Sequence, residues 1–297
     1  LEALLAEVDI VDVCTPTPAH KEGVLAAAAA GKPVICEKPL ARHLGDCEEM
    51  IAACERAGVP LFVAHVVRFF PQFARAKEVL ESGALGRPGV IRTVRGGSFP
   101  RPTPDTWYSD FEQGGGVVMD LCIHDLDFAR WCFGEIERVF ARGLTFDVGN
   151  DKKSMRDHAL ITLRFKNGAI GHVEGSWAFP PGPFRTRLEI AGSEGILEWD
   201  AQEAMPVEVL SSGREAADAS VTHGSGSPLA PHDDPYYREL EHVLACLENE
   251  QPFAVSPRDG LMAVKLALAA IASMRLGKPV DIATFDEDVD EDEEVRA

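Results

Sequence analysis

The chain reads as an α/β region followed by an α+β region, a half of a doubly wound parallel sheet leading into an antiparallel open sheet. Three observations predict this. Up to about residue 72, short apolar runs alternate with helical segments at the spacing of right-handed βαβ crossovers. Beyond it the runs lengthen and alternate apolar with polar residues, the period of half-buried strands. Lys166-Asn167-Gly168 supplies the asparagine-glycine signal of a tight hairpin between two of those runs.

Taken in order, Leu1 to Glu7 reads as a helix, Val8 to Cys14 as a buried strand, and Thr15-Pro16-Thr17-Pro18 as the turn into an alanine-rich helix from Ala19 to Ala30. Lys32 to Glu37 gives a second strand, Leu44 to Ala57 a second crossover helix, and Pro60 to Val66 a third strand. A helix over Pro71 to Ser82 precedes strands at Val90 to Gly96, Ile136 to Phe146, Asp157 to Phe165 and Ala169 to Trp177. Further strands, Thr186 to Ala191 and Gly195 to Trp199, meet at Gly192-Ser193-Glu194-Gly195. Gly213 to Pro235, rich in Gly, Ser, Ala and Pro, reads as a long loop, and helices over Tyr236 to Leu247 and Arg258 to Leu276 follow. The domains expected are 1–72, 73–285, and an acidic, solvated, disordered tail over 286–297.

Composition narrows the class. With 297 residues, 45% of them hydrophobic, the chain has enough apolar material for one large or two ordinary domains. No apolar run approaches the roughly 20 residues of a membrane helix, and the first residues lack the basic flank and cleavage site of a signal peptide, so a cytoplasmic protein is expected. The net charge of −19, of which the last twelve residues contribute −7 (eight acids against one arginine), disfavours nucleic acid and anionic lipid as partners. Seven cysteines, odd in number and scattered through apolar segments, indicate neither a disulfide framework nor a zinc site.

The segment GGGVVMDLCIHDLDFARW, from Gly114 to Trp131, carries the most chemical information. A glycine run opens an amphipathic helix on which Asp120 and His124 are four residues apart, and an imidazole with a carboxylate one turn away is a proton-handling pair. The carboxylate is expected to fix the ring's tautomer and raise its pKa. Two plainer readings stand beside this one: a helix-internal acid with a core histidine, and, through His124-Asp125 and Asp127, the metal-binding dipeptide of phosphohydrolases. The second needs an all-helical fold with further ligands, which this pattern lacks, so no metal is expected. Where the second strand ends, Glu37-Lys38-Pro39 puts a lysine at the carboxyl edge of a parallel sheet, the edge at which such sheets bind ligands. His20 closes the turn at the neighbouring edge, so it is expected to face the same crevice.

The turn ending in His20, the EKP tripeptide at Glu37 to Pro39, the His65-Val-Val-Arg68-Phe-Phe-Pro71 segment and the GGGVVMDLCIHDLDFARW helix together resemble the Gfo/Idh/MocA family of nicotinamide-dependent sugar and inositol oxidoreductases. The most specific part is the order EKP, then GGxxxDxxxHD about eighty residues later. The resemblance implies a Rossmann-type domain with NAD or NADP as cofactor. It implies hydride transfer between the cofactor and a hydroxyl carbon of a sugar, inositol or related polyol. On matching positions, Lys38 would contact the nicotinamide ribose and the reacting oxygen, His124 would be the acid or base, and Asp120 would orient its ring. Thr15, Pro16, His20 and Glu37 would line the nicotinamide half of the cofactor site, Thr17 departs from the asparagine of many relatives, and Arg68, Trp107 and Trp177 would border the substrate pocket. A homo-oligomer, dimer or tetramer, is implied as well. One element of the family pattern has no counterpart: no G-x-G-x-x-G turn occurs, and Leu1 to Glu7 reads as the helix before the fourth strand of the expected sheet, so roughly sixty residues are expected to be missing at the front. This leaves a second expectation open, a non-catalytic or cofactor-deficient binding or regulatory protein on the same scaffold.

Overall fold

The computed structural model describes residues 1–98, 107, 110–144, 158–179, 183–202, the backbone of 208–211, and 234–287. Helix α1 (Glu2–Leu5) leads to strand β1 (Val11–Val13), and a 3-10 turn (Thr17–Ala19) opens α2 (His20–Ala29). Strand β2 (Val34–Glu37), helix α3 (Leu44–Ala57) and strand β3 (Leu61–Ala64) complete a parallel sheet in the order β1-β2-β3. The register aligns Val13 with Cys36 and Cys36 with Val63, so one row of buried side chains crosses all three strands on their inner face. Helix α3 stops at Gly58, whose φ of 67° is the left-handed conformation that glycine takes without strain.

After a 3-10 turn (Val66–Phe69) and α4 (Pro71–Glu81), strand β4 (Pro88–Gly96) enters the second sheet. Helix α5 (Phe111–Gly114), a π turn (Val118–Cys122) and α6 (Ile123–Phe133) then cross to β5 (Ile136–Leu144). Strands β6 (His158–Phe165), β7 (Ile170–Ser176), β8 (Arg185–Gly192), β9 (Gly195–Asp200) and β10 (Glu208–Ser211) follow. Helices α7 (Pro235–Asn249) and α8 (Pro257–Leu276) and the short β11 (Val280–Asp281) complete the described chain. The eight strands lie in the order β10-β9-β8-β4-β7-β6-β5-β11.

All neighbours in this sheet are antiparallel except β4 and β7. The sheet is therefore mixed, where the sequence pattern predicts an antiparallel one. The cause is a crossover: β4 and β5 run the same way on either side of α6, and the antiparallel strands β6 and β7 fill the gap between them. Along β6, Ile161, Leu163 and Phe165 are buried while Leu160 and Arg164 face outward, the alternation of a sheet covered on one face. Strands β10 and β11 are absent from the sequence prediction because neither four nor two residues make a readable period. The end of the predicted loop at Gly213 to Pro235 supplies the start of α7, and 212–233 lie outside the described residues, as does 288–297. Glu287, placed by its composition in a solvated tail, accepts the backbone N–H of Leu44 at 2.9 Å and contacts His43 at 2.7 Å, because the open amino end of α3 needs acceptors.

Helix α8 joins both sheets. Helix α8 starts in a capping box between Ser256 and Asp259, and its Gly260 lies so near β3 that an added Cβ would be 2.8 Å from Val63 Cγ1. Helix α7 covers the opposite face, with Val243 and Cys246 against Ile35, Phe62 and Ala64.

Helix α6 is fixed from two sides. Arg95 of β4 donates to Asp125 at 2.8 and 3.2 Å, and Arg68, from the turn after β3, donates to Asp127 at 2.8 and 2.5 Å. Arg68 also donates to the carbonyl of Ala254 at 2.7 Å and stacks over Trp131 at 5.0 Å. All four charged groups are buried. Arg68 thus ties three elements together in the interior and does not border the candidate pocket described below, contrary to its sequence placement. The two aspartates that invite a metal reading are each held by a guanidinium instead. Arg68→Met leaves Asp127 buried beside an apolar side chain and is expected to lower stability by about 3–5 kcal/mol, read from urea denaturation. Adding Asp127→Asn is expected to recover part of that loss, and an unchanged denaturation midpoint in the single variant would refute the assignment.

Candidate active site

The carboxyl ends of β1 and β2 open into a cavity of about 220 Å³. Thr15 and Thr17 reach it from the first edge, Glu37 and Lys38 from the second. Across from them stand Trp107, Asp120 and Trp177, brought by the α5–α6 crossover and the end of β7. The cavity therefore lies between the parallel sheet and the mixed sheet, at the edge where open α/β folds bind ligands.

Lys38 spans it. Its ammonium donates to the Asp120 carboxylate at 3.0 Å and to the Asp120 carbonyl at 2.9 Å, and both side chains are mostly withdrawn from solvent. Asp120 reaches this position because residues 118–122 form a π turn, whose wider winding departs from the 100° step of an α-helix. The helix predicted through Asp120 and His124 is thus interrupted between them.

His124 lies deeper, 8% exposed, and does not line the cavity. Its Nδ1 is buried without a hydrogen-bond partner, and the ring stands edge-on to His65, with centroids 6.4 Å apart. Burial pushes its pKa well below the ordinary 6.5, and Lys38, Arg95 and His65 push it further down. The sequence argument expects the opposite shift, from Asp120. The Asp120 carboxylate turns instead to Lys38, so His124 is left facing cations. The ring is consequently neutral, with a lone pair free to take a proton.

His20 is a strut. Buried at the start of α2, it contacts the carbonyls of Thr15 at 2.8 Å and Pro39 at 3.0 Å, and so fixes the β1 edge to the loop carrying Lys38, whose peptide bond to Pro39 is cis. Burial lowers its pKa against the opposing pull of those carbonyls. Pro16 flanks the 3-10 turn and is exposed, outside the cavity lining. Glu37 accepts the Lys38 backbone N–H at 3.1 Å, and burial raises its pKa although Lys38 opposes this.

Of the residues singled out from the sequence, Thr15, His20, Glu37, Lys38, Asp120, Trp107 and Trp177 converge on this cavity, while Pro16, Arg68 and His124 do not line it. Thr17, set aside as a departure from the common asparagine, lines it and is buried. His65, quoted from the sequence as part of a motif but given no site role, stands next to His124, and its place at the carboxyl end of β3, the third edge in the same row, is a signal the sequence contains.

Comparison with known proteins gives consistent matches. Residues 1–65 match the oxidoreductase family with an NAD-binding Rossmann fold, and residues 73–198 match the GFO/IDH/MocA C-terminal domain. The chain is 35% identical over 280 residues to myo-inositol 2-dehydrogenase of Thermotoga maritima, covering 93% of this chain and 80% of that enzyme. It is 32% identical over 294 residues to D-apiose dehydrogenase of Paraburkholderia graminis, covering 94% of this chain and 74% of that one. Among solved structures, an oxidoreductase from Agrobacterium radiobacter in complex with NAD+, L-tartaric acid and magnesium superposes with a TM-score of 0.79 at 29% identity, covering 95% of this chain and 83% of that one. With both domains matched in order and the cavity lying between them, the chain belongs to the Gfo/Idh/MocA family of oxidoreductases.

Proposed function

We propose that this protein is an NAD(P)-dependent dehydrogenase that moves a hydride between the nicotinamide and a hydroxyl carbon of a sugar, inositol or related polyol. The observation that carries the reading is the ion pair of Lys38 with Asp120 at 3.0 Å, which joins the edge of the parallel sheet to the crossover of the mixed sheet across one cavity. Residues 1–72 would hold the nucleotide and residues 73–285 the substrate. Thr15, His20, Glu37 and Lys38 form the nicotinamide side, with Pro16 behind them outside the lining, and Trp107 and Trp177 the wall against which the apolar face of a sugar ring stacks.

The chemistry of the cavity residues fits that cofactor. Bound nicotinamide supplies the hydride acceptor or donor. Lys38 offers a fixed positive charge to an oxygen that becomes negative as its carbon loses hydride, and Asp120 holds the ammonium where that charge develops. His124, neutral and set behind the Lys38–Asp120 pair, is the base assigned to the hydroxyl proton in oxidation, which a substrate oxygen would have to approach past that pair, and it returns the proton in reduction. His20 keeps the Thr15 and Lys38 edges at a constant separation. The protein is read as a cytoplasmic homo-oligomer, dimer or tetramer. Among the described residues no helix is long and apolar enough to cross a membrane, and Leu160 and Ile170 stand exposed on the open face of the mixed sheet as a surface for pairing.

Calorimetric titration with NAD+, NADH and NADPH, followed by turnover on a panel of inositols and aldoses, tests the reading, and a protein that binds none of the three refutes it. Lys38→Ala is expected to lower kcat by about 10²- to 10³-fold with cofactor still bound. Turnover at the parental rate would remove Lys38 from the chemistry. The ring of His124 is expected to remain neutral at about pH 6, seen in imidazole NMR, and a midpoint at or above 6.5 would contradict its environment. Because the folded-state pKa values of His20, His65 and His124 are all lowered, the unfolded chain takes up more protons below 6.5. Stability is therefore complete above that pH and is expected to decline as pH falls below it, measured as the urea midpoint.

A further inference from the structure

Behind the nicotinamide side of the cavity, on the outer face of the parallel sheet, three carboxylates meet. Asp12 of β1 pairs in register with Ile35, and Glu37 follows Ile35 by two residues on the same face of β2. Helix α7 lies over this face through Val243 and Cys246, which pack on Ile35, Phe62 and Ala64. Glu239 precedes Val243 by one turn on the same side of α7, and so is carried toward the sheet edge that holds Glu37. Glu239 is 3% exposed, its Oε1 is buried without a hydrogen-bond partner, and among the described residues no cation pairs with it. Glu37, which acts on it, and Cys14 at the neighbouring strand end line the cavity.

We propose that Glu239 is a positioning residue for cofactor charge: protonated, it leaves Glu37 as the nearest anion to the nicotinamide end, and ionised, it adds a second negative charge that favours the cationic oxidised ring over the neutral reduced one. The inference rests on the cavity being the nicotinamide site. Burial, then Glu37, then Asp12 raise the Glu239 pKa to about 8, whereas Glu37 has Lys38 beside it and ionises first. The groups facing this cluster are Asp12, Cys14, Glu37 and Lys38 from the strand edges, Tyr236 of α7 with Asp234 at that helix's amino end, and Arg95 of β4, which acts on Tyr236. Oxidised and reduced cofactors have the same phosphates and riboses. The ratio of their affinities therefore isolates the charge on the ring.

The test is calorimetric titration of the full chain with NAD+ and with NADH between about pH 6.5 and about pH 9.5. The ratio Kd(NADH)/Kd(NAD+) is expected to rise about three- to tenfold across this range, the effect of one added charge at short range in a partly screened site. Glu239→Gln, which has the shape of the protonated acid, is expected to hold the ratio flat at its low-pH value, and Asp12→Asn to move the rise to lower pH. A flat ratio in the parent, or a Glu239→Gln variant that follows the parent, overturns the inference while leaving the nicotinamide reading intact. Binding of neither cofactor at any pH overturns both. Independently of any ligand, the Glu239 carboxyl is expected to titrate near pH 8 in carbon NMR of the free protein, and a midpoint in the ordinary carboxylate range also overturns the inference.

Discussion

A carboxylate withdrawn from water stays ionised only with a cation or strong donors beside it, and helix α6 meets this requirement twice, in opposite directions. Asp125 reaches Arg95 in the mixed sheet, and Asp127 reaches Arg68 at the end of the parallel sheet. The helix is thereby held between the two sheets at both of its flanks, with bidentate geometry that fixes rotation as well as position. The rest of the site follows from that placement. His124 precedes Asp125 and is pressed into the interior with it, and the π turn just before α6 presents Asp120 to Lys38. Had either arginine been replaced by a neutral residue, the helix bearing the acid–base candidates would have one uncompensated buried charge. The site would then be set by a helix free to relax away from it.

Electrostatics in the cavity are correspondingly one-sided for each group. Lys38 has its counter-ion, while His124 has its pKa held down by burial and, further, by Lys38 and Arg95. In the proposed reaction, an imidazole kept uncharged next to a fixed ammonium divides two tasks that one residue performs poorly: the ammonium would stabilise negative oxygen, and the ring would accept the proton. The neighbouring sheet edge carries an excess of acid through Asp12, Glu37 and Glu239.

Much of this arrangement was legible in the sequence. The alternation of apolar runs and helices located β1 to β3, and the Asn167-Gly168 turn located the β6–β7 hairpin. Lys38 and His20 were readable because residues at the carboxyl ends of adjacent parallel strands share a crevice whatever the rest of the fold. The parallel contact of β4 with β7 was not, since it joins strands eighty or so residues apart and depends on how many hairpins intervene. Arg68 was misplaced for a related reason. Nothing local distinguishes a pocket arginine from one consumed by Asp127, 59 residues later. The shift of the His124 pKa was unreadable because an i, i+4 spacing implies contact only in a regular helix, and the π turn lies inside that interval. Glu239 had no sequence signal either, because its significance comes from a strand edge some two hundred residues away.

The π turn has an evolutionary reading. It holds one residue more than an α-helical turn would, and the apolar side chains around it are in the core: Val117 before it, Val118 and Met119 within it, Ile123 and Leu126 after it. Loss of a single residue within 118–122 would let the helix run on as a regular α-helix, rotating everything upstream by about 100° relative to α6. The hydrophobic interior would adapt more easily than the active-site geometry, because apolar contacts are non-directional and the Lys38–Asp120 pair is not. A lineage with that deletion would inherit a foldable scaffold whose lysine has lost its anchor.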